Sequence, residues 1–410
     1  MLNEELIKEY GMPYSELVLY LQQKYGIPKR SFFYRGMKTP VPTIRRAEEG
    51  LFIHHVAENK VFNLAHPNIA ARFPAEYQER EMLVYCNLLE HFILHLKIVD
   101  ETTGRQGEHG LNLSVIPTLN WFYVYGKRKI SADEKPAFEV VKNDYETYLY
   151  LLTEYVKIKM KNAEAKGKPI NTKRYFSEVS VDRNNFRADK IYEDVMERLV
   201  ARADDGCIYT KDGKILIQCE NTGVSGRFTV PDGVSAIGDF AFEYCAGLTE
   251  VVFPEGLLSV GSRAFYGCSG LQSVSVPETL KAIADGACGY CWDLKEFHLP
   301  QGLTEIGNNA FDGCRQLVGI TLPEGLLRLG REVFRYCWGL TEITLPSSLK
   351  EIGRDAFRNC RNLKTVEFSG TKGWKAGKVK IAESDLADVK KSTRFILKTT
   401  CYRCRRWRRK

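Results

Sequence analysis

At 410 residues the chain exceeds one ordinary domain, so two or three units are expected. Its 44% hydrophobic and 27% charged residues exclude a disordered or fibrous protein. No run of about 18 uninterrupted apolar residues marks a membrane span. The net charge of +8 is concentrated, because residues 371–410 hold eight Lys and six Arg against three acidic residues.

The N-terminus "MLNEELIKEYGMPY" is acidic and lacks the apolar core of a secretion signal, so a cytoplasmic location is expected. Histidine comes next in chain order. Five of the seven histidines lie between His54 and His95. "GLFIHHVAENK" reads as a strand carrying His54 and His55, whose side chains point to opposite faces unless the strand bends. In "LVYCNLLEHFILHLKI", Asn87 and Glu90 form a capping-box pattern, so a helix starts near Leu88. His91 and His95 then share one helical face, a good geometry for one divalent metal. A third imidazole from the strand completes such a site. A neighbouring histidine off the metal can deprotonate water, and the metal polarises a phosphate. His66 and His109 have no partner pattern and read as surface residues.

"HH", about 35 residues and then "H-x-x-x-H" on a helix together resemble the HNH (ββα-metal, His-Me finger) endonucleases, over roughly residues 10–125. The resemblance implies His54, His91 and His95 as metal ligands and His55 as general base. It implies one divalent ion, Mg, Mn, Ni or Zn, and DNA as substrate. The family's middle asparagine, which orients the base, falls here at Met82. Asn59, Asn63 and Asn87 are the candidates to take its place.

The middle of the chain reads as two helices joined by a basic, turn-rich connector. "VVKNDYETYLYLLTEYVKIKMKNAEAKGK" has a Tyr/Leu face whose helical spacing points to core. "NFRADKIYEDVMERLVARADD" is a second amphipathic helix, ending before Gly206.

The second half keeps a ruler of 23 residues. Cys245, Cys268, Cys291, Cys314, Cys337 and Cys360 stand on it, as do Pro231 to Pro346 and Leu248 to Leu363. A period this regular means a solenoid, because one unit cannot bury its own apolar face. Each unit is expected to give one short parallel strand, ended by proline, and a turn with a short helix opposite. The cysteines face inward as small hydrophobes and stay reduced. In coil three, "IADGACGYC" puts Ala284 in the Gly position and Cys288 in the Phe position, so looser packing is expected there. "IGDFAFEYC", "VGSRAFYGC", "IGNNAFDGC" and "IGRDAFRNC" resemble the BspA-like leucine-rich repeats of bacteria, over about residues 206–374. That resemblance implies a protein ligand on the exposed strand face.

The tail "CYRCRRWRRK" suits nucleic acid through Arg405, Arg406, Arg408 and Arg409, and reads as an unpacked end. Its lone pair, Cys401 and Cys404, is a weak metal signal. The expected architecture is α+β. A ββα-metal-like nuclease domain (1–125) precedes a helical connector (126–205), a leucine-rich-repeat solenoid with short parallel strands (206–374) and a basic tail (375–410). The expected function is metal-dependent hydrolysis of DNA, with repeats that recognise a partner. The alternative is a non-enzymatic binding protein whose first domain is inert.

Overall fold

The computed structural model describes residues 2–33, 49–61, 64–125, 130–166, 175, 178–181, 188–220, 224–372, 374–376, 379–380 and 407–409. The chain folds into two compact units. One comprises 1–162 with 173–199, and the other 163–172 with 200–410. The architecture is mixed α and β, with helices in the first unit and a parallel-stranded solenoid in the second.

The first unit is built around the helix Leu88–Glu101, whose Leu89, Phe92, Ile93, Leu96 and Val99 are fully buried. Its start is fixed as the sequence predicts. Asn87 Oδ1 accepts from the Leu89 and Glu90 amides, both at 2.9 Å, and Glu90 Oε2 accepts from the Asn87 amide at 2.7 Å. Glu90 Oε1 in turn accepts from Lys24 Nζ at 2.8 Å and Tyr25 Oη at 2.8 Å, which ties the cap to the helix Tyr14–Tyr25. Ahead of the helix, strands Phe52–His55 and Leu83–Cys86 pair antiparallel, with His54 opposite Val84 and His55 opposite Leu83. The long helix Tyr145–Ala165 buries Tyr148 and Tyr155 completely. Their hydroxyls donate to Asn120 Oδ1 at 2.6 Å and Asn112 Oδ1 at 3.0 Å. The tyrosine face is therefore core. The second connector helix spans Asp189–Leu199.

The second unit opens with antiparallel strands Cys207–Thr210 and Ile215–Cys219, bridged by a Cys207–Cys219 disulfide. The coils follow. Strands Gly226–Thr229, Leu248–Val252, Ser273–Ser275 and Glu296–His298 pair in parallel, and Glu342–Leu345 pairs with Thr365–Phe368. Between these sets Gly319 leaves only an isolated bridge to Glu296, as expected where a glycine replaces a strand side chain. Each coil also carries a second, two-residue strand after its proline, such as Glu305–Ile306, Arg328–Leu329 and Glu351–Ile352. The expectation of one strand per coil is thus corrected to two.

The short helix expected after the second strand is absent from the described coils, which turn there instead. Two residues per coil adopt positive φ and interrupt any helical ladder. One series is Phe240, Arg263, Gly286, Asn309, Glu332 and Asp355, and the other is Tyr244, Gly267, Tyr290, Gly313, Tyr336 and Asn359. Left-handed backbone costs a non-glycine residue roughly 1–2 kcal/mol, so packing must hold these positions.

That packing repeats from coil to coil. Phe242 stacks on Phe265 at 5.0 Å, and Phe311, Phe334 and Phe357 stack at 5.6 Å steps. At Cys288 the column is broken. Phe253 and Phe297, from the strand side, lean edge-on against Phe265 and Phe311 at 5.9 and 4.9 Å. The ruler cysteines are buried free thiols. Cys268, Cys291, Cys314, Cys337 and Cys360 each donate to a carbonyl of the preceding coil at 2.9–3.1 Å, for example Cys337 Sγ to Phe311 O. Burial raises their thiol pKa values, so they remain protonated donors. On the turn side Trp292, Arg315, Trp338 and Arg361 alternate at the same period. Arg315 lies 5.1 and 4.8 Å from the Trp292 and Trp338 ring centres.

Part of the tail is packed, contrary to expectation. Residues 407–409 form a strand antiparallel to Glu351–Ile352 and to Trp374–Ala376. The last coil offers an open strand edge, and pairing satisfies its backbone groups. Arg405 and Arg406, with Cys401 and Cys404, lie outside the described residues.

Candidate metal centre

His54 lies on the inner face of its strand, and His55 on the opposite face. The structure brings His54, His91 and His95 together, with one ligating atom of each within 4.8 Å of the others. Ring centres are 5.3 Å apart for His54 and His91, 4.9 Å for His54 and His95, and 4.8 Å for His91 and His95. His91 Nε2 and His95 Nε2 stand 3.2 Å apart. Two nitrogens sharing one tetrahedral zinc at 2.0–2.1 Å are about 3.3 Å apart, so this pair already has metal-binding spacing.

The surroundings set the tautomer of His54. Tyr14 Oη donates to the Val56 carbonyl at 2.9 Å, so its oxygen accepts from His54 Nε2–H, also at 2.9 Å. His54 Nδ1 is then a bare lone pair, buried and without a hydrogen-bond partner. A buried acceptor with no donor is costly, and a cation would satisfy it. Gly110 fixes His95. A Cβ at Gly110 would fall 2.3 Å from His95 Cε1, so backbone packs directly on the imidazole.

His55 does not join the three. Its Nε2 lies 3.0 Å from Gln78 Oε1, and its ring packs edge-on against Phe32 at 4.5 Å. Gln78 is itself held, donating from Nε2 to the Leu64 carbonyl at 3.1 Å. Gln78 therefore orients His55, a role for which the sequence suggested only asparagines. Asn87 is committed to the helix cap, and Asn63 lies outside the described residues. Met82 packs beside Ala57, Val61 and Leu64.

Glu58 is the residue that sequence reading missed. After His55 the chain turns into a 3-10 helix, Val56–Asn59, which folds Glu58 back beneath the strand. Glu58 Oε2 lies 3.5 Å from His95 Nε2 and 3.8 Å from His54 Nδ1, and Oε1 lies 3.9 Å from His55 Nδ1. Its only sequence signal is its place three residues after the paired histidines.

Burial depresses every imidazole here. His54 and His95 are pushed well below the ordinary value, while His55 and His91 fall to about 4. Burial raises the Glu58 carboxyl to about 8. At neutral pH the cluster holds neutral rings, as a metal requires, and one acid proton that a cation would displace. These residues fit one divalent ion of nitrogen and oxygen preference. His66 and His109 are exposed, and His66 caps the short helix Pro67–Ala70. A cavity of about 400 Å³ beside the strand, lined by Phe32, Leu51, Phe52 and Phe122, includes none of the three histidines.

In the second unit the stacking, strand ladders and thiol column recur every 23 residues. Six copies of the BspA type leucine rich repeat match residues 219–337 and 281–389. The second unit is a BspA-type leucine-rich-repeat solenoid. The solenoid is similar to the leucine-rich repeat protein of T. pallidum, with 28% identity over 42% of this chain and 79% of that one, at a TM-score of 0.36. A leucine rich cell surface protein of Faecalibacterium prausnitzii shares 26% identity over 46% of this chain and 42% of that one, at 0.33. A leucine-rich repeat protein of Eubacterium ventriosum shares 23% identity over 40% and 50%, at 0.33. The chain thus spans half or less of the last two. No curated protein matches the chain. Among the described residues, no helix is long and apolar enough to cross a membrane.

Proposed function

We propose that this chain is a recognition protein, and that its leucine-rich repeats bind a partner protein through the face of the longer strands. The observation that carries this reading is the strand ladder itself. It presents an extended row of outward side chains, including Glu296, His298, Thr321, Glu342, Thr344 and Glu367, all exposed. Shallow grooves of about 470, 300 and 370 Å³ run along it. A row of polar side chains on a rigid scaffold suits specific protein contacts, since the backbone that carries them is already ordered before binding. The test is a photo-crosslinking residue at Thr344, compared with one at Arg361 on the turn side. One discrete protein adduct from position 344 and none from 361 supports the reading. The reverse result moves the interface to the turn side.

The first unit, taken as a domain of its own, has a second reading. The antiparallel strands followed by the helix, with three converging imidazoles, support a ββα-metal arrangement in which His54, His91 and His95 hold one divalent ion. Bound there, the ion would supply Lewis-acid polarisation of a phosphate. His55 would be the base and DNA the substrate, with Arg405, Arg406, Arg408 and Arg409 adding salt-sensitive affinity. Plasmid nicking with Mg²⁺, Mn²⁺, Ni²⁺ or Zn²⁺, beside His91→Ala, tests this. Absence of metal-dependent nicking leaves recognition as the function. The Cys207–Cys219 bridge favours an oxidising compartment over the cytoplasm.

A further inference from the structure

A hydrolytic metal site and a structural one differ in a single coordination position. Hydrolytic zinc keeps three protein ligands and leaves the fourth place to water, whereas structural zinc is closed by four. We propose that Glu58 is the fourth ligand of the His54, His91 and His95 site, which makes it a closed, fold-stabilising centre. The inference rests on the metal reading of the three histidines and adds what fills the remaining place.

Three observations carry it. First, Glu58 Oε2 is within 3.5–3.8 Å of ring nitrogens on two different elements, His95 on the helix and His54 on the strand. The three histidines alone form the close cluster, so the Glu58 carboxylate would have to rotate toward His91 to share their ion. Second, the lone pair that Tyr14 leaves on His54 Nδ1 points at Glu58, not at solvent. Third, His54 and His95 are 1% and 4% exposed, and the Glu58 side chain is 12% exposed. With His91 only partly buried, a carboxylate in the fourth place would keep a phosphodiester off the ion. The strand, the 3-10 turn and the helix each contribute a ligand, so one ion would fasten three elements. Metal closure of this kind converts binding free energy directly into fold stability.

The test uses the full chain stripped by chelator and titrated with Zn²⁺ or Co²⁺. Wild type should take up one ion per chain and rise in melting temperature. Its Co²⁺ absorption should have the intensity of a four-coordinate site and stay unchanged on adding azide. Glu58→Gln keeps the size and shape of the side chain and removes its anionic oxygen, and Glu58→Ala opens the fourth place. Both variants should bind Zn²⁺ more weakly by more than the 10–100-fold typical of losing a mere supporting contact. In Glu58→Ala, azide should shift the Co²⁺ bands. If wild type binds no metal, the three-histidine reading itself fails. If wild type binds one ion but azide shifts its spectrum, and Glu58→Gln binds as tightly, the site is open and only the Glu58 assignment is overturned.

Discussion

Phe334→Ala tests whether the phenylalanine column holds the solenoid together. Phe334 is fully buried, and its ring lies between Phe311 and Phe357, tilted by 7° and 19° from them. Truncating a buried phenylalanine costs about 3–5 kcal/mol, with the upper end where the site cannot collapse. Collapse is blocked here. The Phe311 amide donates to Val333 O at 2.9 Å and the Phe334 amide to Ala356 O at 2.8 Å, which fixes the coil spacing. Two ring pairs also disappear, each worth about 0.5–1.5 kcal/mol. The expected loss is about 4–8 kcal/mol in urea unfolding followed by circular dichroism. Cys288→Ala is the control at the equivalent rung, where no ring stack exists, and should cost about 1 kcal/mol. Equal losses from the two variants would refute the idea that stacking along the column carries the stability.

Four other outcomes are expected. Gly330→Ala places a Cβ 2.4 Å from the Gly307 carbonyl carbon and oxygen, and the forced separation of two coils should cost about 1–3 kcal/mol in the same assay. Gly110→Ala drives a methyl into the His95 ring, so metal uptake measured by Zn²⁺ competition should fall at least tenfold while far-ultraviolet circular dichroism is retained. Glu9 is buried beside Glu90, and burial first, then that charge, raise its carboxyl from 4.5 to about 7 despite Lys24. A raised folded pKa gives stability that is full below 4.5 and lost as pH rises through 7, so Glu9→Gln should gain on wild type across that window, and a flat difference would count against it. Thiol labelling in denaturant without reductant should reach the eight described cysteines outside the disulfide and leave Cys207 and Cys219 unlabelled; in native protein the ruler cysteines should stay unlabelled.

The parts of the fold legible beforehand were those where one local pattern has one physical solution. The 23-residue ruler could only be a solenoid, and the Asn87 and Glu90 pair could only begin a helix. The approach of His91 to His95 was legible by the same logic, since the two share a face by helical geometry alone. What was not legible depends on tertiary placement. Gln78 orients His55 because the short 3-10 helix Ala75–Gln78 carries it across to the strand, and nothing at position 78 announces this. Nothing in "HHVAENK" announces Glu58, which reaches the histidines only through the 3-10 turn Val56–Asn59. The second strand of each coil was hidden in two residues, too short for any alternation to show. The turn expected to be helical was misread because most of its left-handed positions are filled by Phe, Arg, Glu, Tyr, Asn or Asp, and only Gly267, Gly286 and Gly313 carry the residue that gives warning.

The break in the phenylalanine column at Cys288 has a consequence for how this array tolerates changes in length. Coils on one side of it interlock by the same rings and thiols, so a duplicated or deleted coil finds matching neighbours and moves the end by one strand spacing, about 4.8 Å. Across the break the neighbours differ, with Phe253 and Phe297 filling from the strand side. A deletion that removes only coil three would press Phe265 against Phe311, two rings shaped to meet a neighbour of their own kind, and would mend the column. Shortening the protein there should cost less stability than the same cut elsewhere.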